Sequence, residues 1–212
     1  MDANFWHQKW QNNEIGFHLA EANPLLLKHI EQLQLAAGSR VFLPLCGKTR
    51  DIAWLLANGL HVVGSELSEL AVQQLFEDLA ITAKVTGHGN LKHYQGKNIE
   101  LWVGDIFTLT KQQLGPVDAI YDRAALVALP LDVRKRYSAH LTTITNTAAQ
   151  LLICFQYDQQ LVAGPPFSIS DEEVQQHYEE KYNVALLEKV AVDGGLKGLC
   201  PATESVFLLS RC

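Results

Sequence analysis

No stretch of this chain approaches the roughly 20 apolar residues that a bilayer-spanning helix needs. The start, MDANFWHQKWQNNE, has no basic segment followed by an apolar block, so no export signal is expected there. Cysteine is sparse: Cys46, Cys154, Cys200 and Cys212 form no CxxC and no Cys/His spacing of a zinc site. Eight histidines are scattered singly, and no metal is assigned. A basic excess is also missing. The net charge is -6, with a pI near 5.7, which disfavours nucleic acid as the main partner because phosphate neutralisation needs a basic face. Low-complexity tracts, internal repeats and linkers are absent too. What remains is a single cytoplasmic domain over residues 1–212, with neither membrane nor nucleic acid as partner, and with a monomer expected. Its 48% hydrophobic and 19% charged residues suit a globular core.

The chemistry concentrates in Arg40–Glu66, RVFLPLCGKTRDIAWLLANGLHVVGSE. An apolar run, a turn carrying Gly47, a helical segment and a second apolar run end on a carboxylate. This is the first half of a nucleotide-binding βαβ unit. The turn brings backbone N–H groups to a ligand, and the carboxylate accepts from ribose hydroxyls. Glu66 lies 19 residues after Gly47, close to the usual ribose-carboxylate spacing of about 20. The full GxGxxG of a dinucleotide site is missing, and Pro44, Cys46 and Lys48 crowd the turn. A pyrophosphate is disfavoured, and an adenosine ligand without one, S-adenosylmethionine (AdoMet), fits better. An NAD(P)-dependent oxidoreductase and a non-catalytic adenosine-ligand sensor remain the alternatives.

Strands are expected at Arg40–Leu45, His61–Ser65, Ile99–Val103, Val117–Tyr121 and Ala149–Phe155, with two more near Ala185–Val192 and Ser205–Leu209. Helices are expected from Pro24 to about Ala37, over Asp51–Asn58, Glu69–Leu79 and Asp132–Thr147, and from Ser170. Residues 86–98 read as a hairpin or loop. The alternation gives an α/β, doubly wound parallel sheet. Ligands in such sheets bind beyond the carboxyl ends of the strands. Those ends carry Leu45-Cys46-Gly47, Glu66, Asp105-Ile106, Asp122-Arg123 and Tyr157-Asp158. Asp105 reads equally as an acceptor for an adenine amine, with Ile106 packed on the ring, or as a cap. Arg123 reads as an active-site cation or as the partner of Asp122. Phe5, Trp6, Trp10 and Phe17 sit in an otherwise polar segment, residues 1–22. Trp6 and Trp10, at an i, i+4 spacing, are either core or a flap over a cationic ligand.

At these residues the chain resembles the thiopurine S-methyltransferase family, bacterial branch, over nearly its full length. The likeness rests on Trp6-x-x-x-Trp10, Phe17-His18, VFLPLCGK (Val41–Lys48), VVGSELSE (Val62–Glu69), DRAALVALP (Asp122–Pro130), Gln156-Tyr157-Asp158 with Gly164-Pro165-Pro166-Phe167, and Leu187-Glu188-Lys189-Val190. The resemblance implies a class I, Rossmann-like AdoMet-dependent methyltransferase with a seven-stranded sheet, its last strand antiparallel, and an N-terminal helical lid. It implies AdoMet contacts at Trp6, Trp10, Leu45, Glu66, Ile106 and Arg123, and no metal. Phe17 and Arg123 would line the substrate pocket, with Arg123 as the catalytic group and the Gly164-Pro165-Pro166-Phe167 loop near the rim. The implied partner is a small-molecule thiol, such as a thiopurine, with selenium and tellurium species as further soft nucleophiles. Some relatives carry a second pocket arginine before the last strand. Here that stretch reads Gly194-Gly195-Leu196-Lys197-Gly198, leaving Lys197 as its substitute.

Overall fold

The computed structural model describes residues 3–16 and 19–212. Its strands are β1 (Arg40–Leu43), β2 (His61–Glu66), β3 (Lys84–His88), β4 (Leu91–Gly96), β5 (Ile99–Val103), β6 (Ala119–Arg123), β7 (Ala149–Tyr157), β8 (Tyr182–Ala191) and β9 (Ala202–Arg211). Its helices are α1 (Ala3–Gln11), α2 (Pro24–His29), α3 (Arg50–Ala57), α4 (Glu69–Asp78), α5 (Lys111–Leu114), α6 (Leu131–Ile144) and α7 (Asp171–Tyr178).

Among the described residues the strands form one sheet in the order β3-β4-β5-β2-β1-β6-β7-β9-β8. β5, β2, β1, β6 and β7 run parallel, and β9 inserts antiparallel between β7 and β8. The sheet therefore has nine strands, not seven. The two extra ones are the β3–β4 hairpin, which adds antiparallel to β5 and occupies the stretch expected as a hairpin or loop. Its strands are polar and mostly exposed at β3, so no apolar run announced them.

The central strands are apolar on both faces because both are covered. Val41 and Leu43 of β1 pack with Ile52 and Leu55 of α3 on one side. Phe42, between them, packs with Tyr137 and Leu141 of α6 on the other. Burying each such side chain contributes roughly 1.5–3 kcal/mol. Local signals set the helix starts. Asn23 accepts from Leu25 N and Leu26 N, Ser68 from Ala71 N, and Ser170 from Glu173 N, satisfying first-turn donors. The helix beginning at Pro24 is shorter than its sequence suggests. It tightens to a 3-10 turn at Ile30–Leu33 and stops at Gln34, whose φ of 50° is left-handed.

The strand order reverses at β1, which pairs with β2 on one side and β6 on the other. A crevice opens at such a switch point beyond the carboxyl ends of the strands. The opposite end of the sheet is closed by charge. Glu100 accepts from Arg40 Nη1 at 2.7 Å and lies 3.1 Å from the Nε2 atoms of both His61 and His93. These partners, His93 foremost, hold its carboxyl down at about 2, against the usual 4.5.

A depressed folded-state pKa stabilises above the unfolded value and ceases to do so as pH falls through the folded one. Glu100→Gln should therefore cost about 1–2 kcal/mol at neutral pH, a value reduced for its partial contact with water. Denaturant melts should show this deficit shrinking between pH 4.5 and 2. A deficit that does not change with pH would contradict the ion cluster.

Candidate active site

β1 ends at Leu43, and the chain turns through Pro44-Leu45-Cys46-Gly47 before α3 starts. Ser65 holds the near side of this turn. Its carbonyl accepts from Cys46 N at 3.0 Å and its hydroxyl from Leu45 N at 3.4 Å. Glu66 holds the far side. Its Oε2 accepts from Gly47 N and its Oε1 from Ser68 N, both at 2.8 Å. The side chain is buried, which pushes its carboxyl up, while the Ser68 and Gly47 N–H groups oppose that rise.

Leu45 and Gly47 both have positive φ, 46° and 53°. Left-handed backbone at a non-glycine residue is costly and tends to collect at functional sites. At Gly47 a side chain is also excluded by contact. An added Cβ would lie 2.9 Å from Cζ2 of Trp10, so α1 lies directly on the turn.

The crevice beyond these strand ends is a cavity of about 530 Å³. Phe5, Trp6 and Trp10 of α1 form one side, and Leu45, Gly47 and Glu66 form the floor of that half. Arg123, at the end of β6, and Phe155, near the end of β7, stand in the other half. Val127, Ala128, Pro165, Pro166 and Leu196 close it. A second hollow of about 320 Å³ shares Leu67 with the first and reaches Ser68, Asn90, Lys92 and Gly104. The β3–β4 hairpin thus contributes to the site's edge.

Five of the residues expected from sequence therefore share one cavity: Trp6, Trp10, Leu45, Glu66 and Arg123. Asp105 and Ile106 do not line it. Asp105 is exposed, and its carboxylate accepts from Phe107 N at 3.0 Å as the cap of a 3-10 turn. Ile106 is buried in the core under α6, and its carbonyl lies 2.8 Å from His140 Nε2. Phe17 falls outside the described residues. Lys197 lines the cavity and donates to Pro165 O at 2.9 Å. Asp122, beside Arg123, is wholly buried, and its oxygens accept from Tyr137 Oη and Leu126 N. Burial lifts its carboxyl to about 6.

Phe155, Val127 and Leu196 were not foreseen. Phe155 could have been expected from the sequence, because it closes the apolar run of a strand whose end faces the cavity. Glu204 was not foreseen either. It sits opposite Phe155 in the β7–β9 register and so shares its face of the sheet. Burial raises its carboxyl, and the Arg123 guanidinium opposes that rise.

The family model for thiopurine S-methyltransferase (TPMT) matches residues 1–206. The chain belongs to the thiopurine S-methyltransferase family. It is 53% identical over 212 residues to a thiopurine S-methyltransferase of Xanthobacter autotrophicus, covering all of both chains. It is also 53% identical to one of Teredinibacter turnerae, covering 100% of this chain and 98% of the relative. Among solved structures, the fold matches a Burkholderia thailandensis 1,6-didemethyltoxoflavin-N1-methyltransferase with bound S-adenosylhomocysteine. That match has a TM-score of 0.66 at 14% identity, covering 99% and 87% of the two chains. A TehB-like SAM-dependent methyltransferase of Corynebacterium glutamicum gives a TM-score of 0.59 at 12% identity, covering 99% and 98%. Membership of the thiopurine S-methyltransferase family makes this chain an AdoMet-dependent methyltransferase with a class I-like α/β fold. No helix among the described residues is long and apolar enough to cross a membrane.

The contact between α1 and the turn can be probed directly. Gly47→Ala should destabilise the fold by about 1 kcal/mol through its left-handed φ. It should also shift tryptophan emission as Trp10 is displaced, and the shift should vanish in a Trp10→Phe background. Unchanged emission in Gly47→Ala would contradict the packing of α1 on the turn.

Proposed function

We propose that this chain moves the methyl group of AdoMet to the sulfur of aromatic or heterocyclic thiols such as thiopurines. Selenium and tellurium compounds are soft nucleophiles of the same kind. The observation that carries the reading is a single cavity holding a buried carboxylate, an aromatic wall and a guanidinium in succession. The carboxylate end suits a ribose, the aromatic wall a sulfonium, and the guanidinium an anionic acceptor.

The residues fit AdoMet in this order. Glu66 already accepts one N–H on each oxygen, and a carboxylate oxygen has a second lone pair for a ribose hydroxyl. A side chain at Gly47 would meet Trp10, so the backbone alone faces the ligand there. The rings of Trp6 and Trp10 would stabilise a positive charge by about 0.5–2 kcal/mol, depending on how dry the site is. The second hollow, beyond Leu67, gives the nucleoside base a place between Ser68 and the β3–β4 hairpin.

AdoMet supplies the methyl group on an already activated sulfonium. The protein's part is to bind, align and exclude water. Alignment of reactants contributes as much as about 7–11 kcal/mol in favourable cases. Aromatic thiols ionise appreciably near neutral pH, so no dedicated base is required. The planar guanidinium of Arg123 holds the anionic acceptor from the β6 side. Helix α1 is the cover of the cavity, its polar outer face in water and its tryptophans inward. Lys197, tied to the Pro165 carbonyl, stands at the far rim, where a second cation would meet an anionic heterocycle.

Turnover with a methyl-labelled AdoMet and a thiopurine tests the reading, with the labelled thioether as product. Arg123→Ala should lower kcat/KM for the thiol at least about tenfold, or roughly 1.4 kcal/mol, and Arg123→Lys should recover only part. Glu66→Ala should weaken AdoMet binding by about 1.5–3 kcal/mol in calorimetry. Near-parental thiol turnover in Arg123→Ala would remove the guanidinium from the acceptor site.

A further inference from the structure

β6 ends on two charged residues whose side chains leave opposite faces of the sheet. Arg123 enters the cavity, whereas Asp122 turns toward α6, where it is wholly buried. Its Oδ2 accepts from Tyr137 Oη of α6 at 2.7 Å, and its Oδ1 accepts from Leu126 N at 3.1 Å. The second bond closes the turn that follows the strand. Within that turn Ala124 has a φ of 62°, left-handed backbone without the excuse of glycine.

The turn runs straight into the cavity wall. It leads into a 3-10 segment, Leu126–Ala128, whose Val127 and Ala128 line the half of the cavity that holds Arg123. Val127 O accepts from Phe167 N at 2.6 Å, which ties the Gly164–Phe167 loop to the same turn. Pro165 and Pro166 of that loop form the rim, and Tyr157 Oη donates to Pro166 O at 2.6 Å. Helix α6 braces the assembly from outside. Arg134 donates to Leu129 O at 2.8 Å, and its guanidinium lies 5.7 Å from the Phe167 ring.

A hydrophobic residue would fill the place of Asp122 at lower cost, since a buried carboxylate sacrifices solvation. The carboxylate instead turns its oxygens to a helix hydroxyl, Tyr137 Oη, and to backbone N–H of the turn that follows the strand. We propose that Asp122 is a positioning residue for the thiol: anchored by Tyr137, it fixes the turn that sets Val127, Ala128 and, through Phe167, the proline rim against the acceptor. The inference rests on the S-methyltransfer reading and assigns acceptor selection to a residue that touches neither reactant. It separates the two halves of the cavity, because Glu66 takes its hydrogen bonds from Gly47 N and Ser68 N and not from this turn.

The test compares Asp122→Ala, Asp122→Asn and Tyr137→Phe with the parent enzyme. Thiol KM and kcat, AdoMet Kd by calorimetry, and amide hydrogen exchange at Leu126, Phe167, Gly47 and Ser68 are measured for each. Asp122→Ala should raise thiol KM about tenfold or more, and Tyr137→Phe about three- to fivefold, on the scale of one or two lost hydrogen bonds. AdoMet Kd should stay within about twofold of the parent in both. Asp122→Asn keeps an acceptor for Leu126 N and should fall between the parent and Asp122→Ala. Exchange should quicken at Leu126 and Phe167 and not at Gly47 or Ser68. Should Asp122→Ala fail to fold, Tyr137→Phe and Asp122→Asn still decide the matter. Thiol KM and AdoMet Kd rising together, or exchange quickening evenly across the four amides, would make Asp122 a plain core group and overturn the proposal. A parent enzyme that methylates no thiol would instead refute the S-methyltransfer reading, and the exchange pattern would still settle the hold of Asp122 on the wall.

Discussion

One buried carboxylate ties the ends of β1 and β2 together. Glu66 accepts from Gly47 N and Ser68 N, so the turn after β1 and the first turn of α4 share a single anchor. Both donors belong to backbone that a regular strand or helix would leave unsatisfied. The left-handed φ at Leu45 and Gly47 persists because this anchor and the Ser65 contacts overdetermine the turn. With the turn fixed, Trp10 packs against its backbone at Gly47, and α1 lines the cavity with Phe5, Trp6 and Trp10. The same carboxylate is the one proposed to hold the ribose, so the fold and the proposed ligand site share one interaction.

The sheet then sorts charge by face and by end. Glu100 gathers Arg40, His61 and His93 around its carboxylate on the side of the sheet where β1, β2 and β5 begin. The carboxyl ends carry the charges that line the cavity, Glu66 and Arg123. At β6 the pleat sends Arg123 into the cavity and Asp122 into the core under α6, so two adjacent residues act on opposite sides of one wall. Glu204, across β7–β9 from Phe155, brings a further carboxylate to the face that holds Arg123.

Much of this was legible in the residues. Apolar runs located the five parallel strands, and the spacing of Gly47 to Glu66 located two residues that prove to be hydrogen-bonded. Ser68 and Ser170 marked helix starts correctly because a side-chain acceptor before an apolar-periodic run has a local physical meaning. The β3–β4 hairpin escaped as defined strands, since its residues gain order from pairing with β5 rather than from their own pattern. Asp105 followed its local chemistry as a cap, and Ile106 its hydrophobicity into the core. Pro165 and Pro166 line the cavity, as the likeness of the Gly164–Phe167 loop implied, whereas Val127 and Leu196 reach it through contacts between segments far apart in sequence. Asp122-Arg123 read either as an active-site cation beside a carboxylate or as an ion pair, and the oxygens of Asp122 accept from Tyr137 of α6 and from Leu126 N of the following turn.

The central claim is that one cavity orders a nucleoside end, a sulfur and an acceptor end along the line from Glu66 to Arg123. A crystal structure with S-adenosylhomocysteine and an aromatic thiol tests it most directly. The account predicts ribose hydroxyls on Glu66, the homocysteine sulfur beside Trp6 and Trp10, and the thiol sulfur on the Arg123 side within reach of a methyl between them. A ribose held elsewhere, or a thiol bound away from Arg123 and the Val127 wall, would contradict it.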